Sequence, residues 1–194
     1  MSAPNEIPGE NLGKTLGQGR FLRLRERNGW EFVDRPGVVD VAVLIAVTAD
    51  AELVLVEQYR EPVASRMIEL PAGLVGDEQD FSDEGILDAA NRELEEETGY
   101  RADSLSVVIR APSSGGMTSE VVTFIHASGL TKVGDGGGVE NESIVPHAIP
   151  LSEIDKWLTE RDAEGFLIDP KIYAGLRLLT HSVNQSESTT APLP

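Results

Sequence analysis

Cysteine is absent from this 194-residue chain, so neither a disulfide bond nor a thiolate site can form. A chain without disulfides suits a reducing compartment, and we expect a cytoplasmic protein. The sequence also lacks a run of eighteen apolar residues, which excludes an ordinary membrane-spanning helix. Its first twenty residues have neither a basic start nor an apolar middle and are read as a polar arm, not a secretory signal.

Positive charge is scarce. The chain carries 16 Lys and Arg against 33 Asp and Glu, a formal net charge of −17. A general nucleic-acid binder needs a basic surface, so this class is excluded. An acidic enzyme that acts on anionic phosphates needs cations or local arginines to reverse the field at its site. Any phosphate chemistry here should therefore depend on a divalent metal.

The order of patterns predicts one α+β domain with a small β-rich extension at its N-terminus. Residues 21–36 alternate apolar and polar residues around Asn28-Gly29, a dipeptide typical of a hairpin turn. Apolar strands follow at 38–47, 52–60, 104–111, 121–128 and 144–150, and the stretch 68–83 is read as a loop. We predict an arm at 1–36, a main domain at 37–182 and a disordered tail at 183–194.

One helix carries the unusual feature of the sequence. We expect it to begin at Ser82 or Asp83, to end at Gly99 and to bury a stripe of Leu87, Ala90 and Leu94. Two further helices are predicted at 152–160 and 170–181.

Acidic residues crowd the end of the first helix. Glu93, Glu96 and Glu97 are spaced three and four apart, so they project to one side, where like charges repel. A Mg²⁺ or Mn²⁺ ion among the carboxylates would explain why they are kept, because hard cations prefer oxygen ligands. On the pattern alone, a solvated acidic helix face is the alternative.

The residues around these carboxylates form a longer motif. Arg92-Glu93-Leu94-Glu95-Glu96-Glu97-Thr98-Gly99-Tyr100, with Glu84 eight positions before Arg92 and Gly73 upstream, resembles the signature box of the Nudix hydrolase family. Ten residues separate Gly73 from Glu84 where the box has five, which puts in doubt the shape of this loop. The stretches "NGWEF", "VEQYREP" and "ELPAGLV" resemble the ADP-ribose pyrophosphatase branch, and Pro112 matches a proline that this branch has beyond the box.

The resemblance implies an α/β/α sandwich with a mixed sheet, and metal-dependent attack of water on a pyrophosphate. It implies Glu93, Glu96, Glu97 and the carbonyl of Ala72 as metal ligands, with Arg92 holding the box carboxylates. Glu95 occupies the unspecified box position and is expected to face solvent. The general base would come from the glycine-rich stretch 134–144, where Glu140 is preferred to Glu142, although such acidic loops are often merely solvated.

Substrate contacts follow from the same resemblance. The residues that it implies are Trp30 for the nucleobase, Arg60 and then Arg66 for the pyrophosphate, Glu69 near the site, and Glu120 for the terminal sugar. Trp30 could equally be a core or interface residue, and Glu69 could serve only a salt bridge. The arm is expected to form a homodimer and to contribute to the partner's pocket. The expected reaction is Mg²⁺-dependent hydrolysis of ADP-ribose or a related nucleoside diphosphate sugar; the alternatives are a GDP-mannose-type or broad-specificity hydrolase, and a binding domain without turnover.

Overall fold

A computed structural model describes residues 13–38, 40–75, 85–138 and 143–188. Three helices, one short 3₁₀ turn and eleven strands lie within these ranges. The strands are β1 Lys14–Gln18, β2 Arg23–Arg27, β3 Trp30–Asp34, β4 Asp40–Ala46, β5 Glu52–Arg60, β6 Ser65–Glu69, β7 Ala72–Val75, β8 Tyr100–Pro112, β9 Val121–Lys132, β10 Val145–Pro150 and β11 Leu167–Ile168. The helices are α1 Ile86–Thr98, α2 Ile154–Ala163 and α3 Pro170–Ser188, and the 3₁₀ turn is Glu61–Val63.

The N-terminal extension is an antiparallel sheet in the order β1-β2-β3. The hairpin between β2 and β3 turns at Asn28 and Gly29, whose φ angles of 54° and 83° match a type I′ turn. The sequence prediction of this hairpin is therefore confirmed. The extension meets the body where Val33 bridges Thr118.

The body contains two four-stranded sheets, ordered β7-β4-β9-β8 and β10-β5-β6-β11. The pairs β4–β9 and β6–β11 are parallel and the other pairs are antiparallel, so both sheets are mixed. One core packs α1 against the sheets through Leu44, Val54 and Leu94. The other packs α2 and α3 against the opposite faces through Ile45, Leu158 and Ile172. Helices thus cover both faces, and the expected α/β/α sandwich is confirmed.

Several predicted boundaries were wrong. The stretch 68–83 was expected to be a loop, but its first two residues belong to β6 and residues 72–75 form β7. Strand β7 forms because it pairs with β4, and just before it the Pro71 carbonyl accepts a hydrogen bond from the Leu44 amide at 2.8 Å. Helix α1 begins at Ile86 with Gly85 as its N-cap, later than predicted, and Ser82 and Asp83 lie outside the described residues. Helix α3 continues to Ser188, beyond the predicted end at residue 181.

The buried stripe of α1 also differs from the prediction. Ala90 and Leu94 are buried as expected, but Leu87 is exposed and Ile86 packs against the core instead. Helix α2 lies two to three residues further along the chain than its predicted range. Within the part of the chain that the structure describes, none of the helices is long and apolar enough to cross a membrane.

Candidate active site

Helix α1 places its acidic residues against β7. Glu97 is only 5% exposed, and its carboxylate oxygen Oε2 accepts a hydrogen bond from the backbone N–H of Ala72 at 3.0 Å. A buried carboxylate requires partners of this kind, since an uncompensated charge in the interior is costly. Glu97 and Ala72, which the resemblance implies as metal ligands, therefore lie in direct contact, through the Ala72 amide and not through its carbonyl.

Glu93 crosses the backbone of the same strand at Gly73. A Cβ atom built on Gly73 would lie 2.0 Å from both Cγ and Cδ of Glu93, far inside van der Waals contact. Glycine allows this close approach because it has no side chain. Gly73 and Glu93, the first half and the second half of the box, therefore meet in the fold.

Arg92 joins two of the carboxylates. Its Nη1 atom lies 3.0 Å from Oε1 of Glu93 and 3.0 Å from Oε2 of Glu96. The guanidinium thereby offsets the repulsion that the spacing of these residues creates. Glu95 lies outside this group and pairs with Arg101 at 2.6 Å on the solvent side. Glu84, the remaining box carboxylate, lies outside the described residues.

The oxygen atoms of this group are of the kind that binds a divalent cation. Glu93 and Glu97 contact the strand that carries the Ala72 carbonyl, and Glu96 lies on the same helix beside Arg92. Hard cations prefer carboxylate and carbonyl oxygens of this kind. In the described ranges, however, no three acidic or histidine side chains converge as a ready-made metal site. Glu93 and Glu96 instead contact Arg92.

Arg60 is held beside this group by β6. Its guanidinium nitrogens Nε and Nη2 donate to Glu69 at 3.0 and 2.6 Å, and Gln58 donates to the same carboxylate at 2.9 Å. Burial lowers the pKa of Arg60, but the hydrogen bond to Glu69 and the charges of Glu69, Glu97 and Asp169 outweigh this effect, so the pKa is raised above the ordinary value of an arginine. Arg60 is therefore a permanent cation in the field of Glu97. Sequence reasoning missed Gln58, although its position two residues before Arg60 on one strand places both on the same face.

Arg66 lies on the other face of the sheet. It pairs across the strands with Tyr59, and its Nε donates to Glu57 at 2.5 Å. Glu57 also contacts Nε2 of His147 at 3.1 Å. The structure therefore brings Arg60 and Glu69 together near α1 and separates Arg66 from them.

The remaining predicted residues lie on the extension, on β9 or outside the described ranges. Trp30 begins β3, and 69% of its surface is exposed. Glu120 precedes β9 and accepts a hydrogen bond from Arg35 at 3.3 Å. Glu140 and Glu142, the predicted general bases, lie outside the described residues.

A polar cleft of about 450 Å³ opens along the outer side of α1. Its lining residues are Asp88, Asn91, Arg92, Glu95, Glu96 and Arg101. Asn91 fixes this side of the helix to β8, because its side chain accepts from the Ala102 amide at 2.9 Å and donates to the Ala102 carbonyl at 3.2 Å. The cleft gives solvent and ligands access to Arg92 and Glu96. Arg101 follows the motif, and no pattern in the sequence indicated that it would line this cleft.

Residues 38–171 match the NUDIX domain family, which is more than half of the chain. Two curated relatives are the methanol dehydrogenase activator of Bacillus methanolicus, 35% identical over 115 residues, and the ADP-ribose pyrophosphatase of Bacillus subtilis (strain 168), 32% identical over 117 residues. Each match covers 59% of this chain and 58% of the relative. A crystal structure of an ADP compounds hydrolase shares the fold, with a TM-score of 0.66 over 89% of this chain and 92% of that one at 20% identity.

Proposed function

Because this chain belongs to the Nudix family, we propose that it is a Mg²⁺-dependent pyrophosphohydrolase that cleaves ADP-ribose to AMP and ribose 5-phosphate, or a related nucleoside diphosphate sugar. The observation that carries the proposal is the meeting of the two halves of the box, where Glu93 crosses Gly73 and Glu97 binds the Ala72 amide. The curated pyrophosphatase relative supports the choice of substrate. Cytoplasmic localisation is part of the same proposal.

Each side chain has a distinct task in this reaction. Glu93, Glu96, Glu97 and the carbonyl of Ala72 would hold Mg²⁺, which supplies charge neutralisation at the phosphate oxygens and acidifies bound water. Arg92 orients Glu93 and Glu96 through its two 3.0 Å contacts.

Arg60 donates to the pyrophosphate, since a guanidinium offers paired donors to phosphate oxygens and this one carries a permanent charge. Glu69 and Gln58 fix its direction. We assign this contact to Arg60 in preference to Arg66, because Arg66 lies on the opposite face of the sheet and is engaged with Glu57.

The remaining assignments depend on the family resemblance. Proton removal from water is assigned to Glu140, with Glu142 as the second candidate, and recognition of the terminal sugar to Glu120. Glu120 already accepts a hydrogen bond from Arg35 and so has a polar environment suited to a hydroxyl group.

The extension is proposed to form a homodimer and to bring Trp30 onto the nucleobase of the partner's substrate. The extension exposes several large apolar side chains to water, which is unfavourable: Leu16, Phe21, Leu22, Leu24 and Trp30. Residues 13–38 also contain six basic and three acidic residues, a net charge of +3 in a chain of net charge −17. A basic, partly apolar sheet is suited to the acidic body of a second copy and to an anionic substrate.

Two alternatives remain to be separated by experiment. A GDP-mannose-type or broad-specificity hydrolase would use the same carboxylates with a different base and sugar pocket. A binding domain without turnover would not need Arg92 and all three metal-ligand carboxylates, and this chain retains them.

The test is turnover of ADP-ribose, GDP-mannose and other sugar nucleotides with Mg²⁺, by wild type, Glu97→Gln and Glu95→Gln. Glutamine at 97 can still accept the Ala72 hydrogen bond but binds metal weakly, so we expect at least about a 100-fold loss of kcat with an unchanged fold. Glu95→Gln, on the solvent side of the same helix, should retain most of the rate. A folded, metal-loaded wild type that is inert on every sugar nucleotide would contradict the proposal.

A further inference from the structure

The last turn of α1 is an unfavourable place for its carboxylates. A helix dipole is negative at the C-terminus, so acidic residues there are destabilising, and like charges at these spacings repel. Helix α1 nevertheless carries Glu95, Glu96 and Glu97 in this turn and has no basic residue of its own there. Left to itself, such a turn would fray.

A short segment after β9 covers this turn. We call residues Lys132–Gly138 the strap. The amides of Gly137 and Gly138 donate to the carbonyls of Glu97 and Glu96 at 2.9 and 3.0 Å. The ammonium of Lys132 donates to the Thr98 carbonyl at 2.7 Å and supplies the positive charge that the helix lacks.

The carbonyl of Gly99, the residue after the helix, also accepts hydrogen bonds from the strap. Gly99 accepts hydrogen bonds from the amides of Val133 and Gly134 at 2.8 and 3.1 Å. Gly99 itself donates to Glu95 at 2.8 Å, so each carbonyl from Glu95 to Gly99 has a donor.

At two positions, Gly136 and Gly99, the strap and the end of the helix lie too close together for an ordinary side chain. Gly136 has φ +72°, and a Cβ atom there would lie 2.5 Å from the Thr98 carbonyl carbon and 2.6 Å from the Glu97 oxygen. At Gly99 a Cβ atom would lie 2.1 Å from the Gly134 oxygen. At Gly134, by contrast, a Cβ atom would meet no heavy atom within 4 Å. Glycine is thus required for docking at Gly136 and Gly99 but not at Gly134. Residues 134–136 are exposed, yet the segment is not merely solvated, because it is fixed to the end of α1.

We propose that the strap is a positioning element for the divalent cation: by fixing the backbone of Glu96 and Glu97 it holds their carboxylates where the metal binds. The proposal rests on the metal-dependent function above. It names two positioning residues outside the box, Gly136 through its close docking and Lys132 through its bond to Thr98. A rigid backbone under metal ligands raises affinity because less freedom is lost when the ion binds.

The experiment measures Mn²⁺ affinity by calorimetry or electron paramagnetic resonance for wild type, Gly136→Ala and the matched control Gly134→Ala. We expect Gly136→Ala to bind Mn²⁺ at least about 10-fold more weakly, as for other residues that support metal ligands, and Gly134→Ala to stay within about twofold. Thermal unfolding in EDTA reports stability separately. Lower stability with unchanged Mn²⁺ affinity would assign the strap to folding alone and overturn the proposal.

Lys132→Met provides a second variant if Gly136→Ala fails to fold. It keeps an unbranched side chain but removes the ammonium from Thr98, and we again expect weaker Mn²⁺ binding. If Lys132→Met binds Mn²⁺ as tightly as wild type, Lys132 is not a positioning residue. Mn²⁺ binding can be measured without turnover. A wild type that binds Mn²⁺ but hydrolyses no sugar nucleotide would therefore reject the proposed reaction, and the variants would still test the role of the strap. A wild type that binds no Mn²⁺ would reject both.

Discussion

Replacing Gly73 with alanine adds a single methyl group where Glu93 crosses β7. The new Cβ atom would lie 2.0 Å from Cγ and Cδ of Glu93, whereas carbon atoms pack at about 3.5–4.0 Å. The end of Glu93 must therefore withdraw by about 1.5 Å. A displacement of about 1 Å in a catalytic group can cost about 100-fold in rate, so we expect Gly73→Ala to lower kcat by about that factor.

Stability should change much less than activity. The obstacle is the flexible end of a side chain and not the backbone, so the overpacking cost should fall at or below the lower end of the usual range of about 1–3 kcal/mol. The assay compares ADP-ribose turnover, Mn²⁺ affinity and thermal unfolding with those of Gly116→Ala, where a Cβ atom would meet nothing within 4 Å. If Gly73→Ala keeps wild-type rate and Mn²⁺ affinity, Glu93 does not act from the position described here.

Arg60→Lys and Arg66→Lys form a matched pair, since each arginine is 43% exposed and bonds a carboxylate, on opposite faces of one hairpin. We expect only Arg60→Lys to lower kcat/KM, by about 10-fold or more, because lysine lacks the paired donors; equal losses would refute the assignment. Burial lowers the pKa of His126 below 6.5, so the unfolded chain binds the proton more readily and stability falls as the pH drops below about 6.5. His126→Gln should reduce this fall in urea unfolding at pH 5.5 against pH 7.5; parallel behaviour of both proteins would refute it.

Local patterns predicted much of the fold. The Asn28-Gly29 hairpin depends on two residues that tolerate positive φ, and the end of α1 depends on Gly99 in the same way. The resemblance to a family branch assigned Glu97 and the Ala72 carbonyl to one site, and a hydrogen bond from the Ala72 amide joins the two residues. These features are readable because each is specified by residues close together or by a fixed spacing.

Features set by pairing between distant strands were harder to predict. Strand β7 forms because it pairs with β4. Its own sequence contains a glycine and follows a proline, so it does not indicate a strand. The separation of Arg60 from Arg66 depends on the register of β5 and β6. A shift of one residue in this register would move the side chains of one strand to the other face of the sheet. The strap resembled a solvated loop, since the docking of Gly136 on Thr98 becomes visible only in three dimensions.

Strand β4 lies between the two cores: Leu44 packs in one core and Ile45 in the other. The same strand carries the site, because Ala42 pairs with Gly73 and Val43 with Ala72. Substitutions here cannot be treated as independent of those at the carboxylates, and close neighbours commonly show non-additive effects. Substitutions along β4 should therefore be tightly constrained, because each one acts on both cores and on the strand that faces the carboxylates.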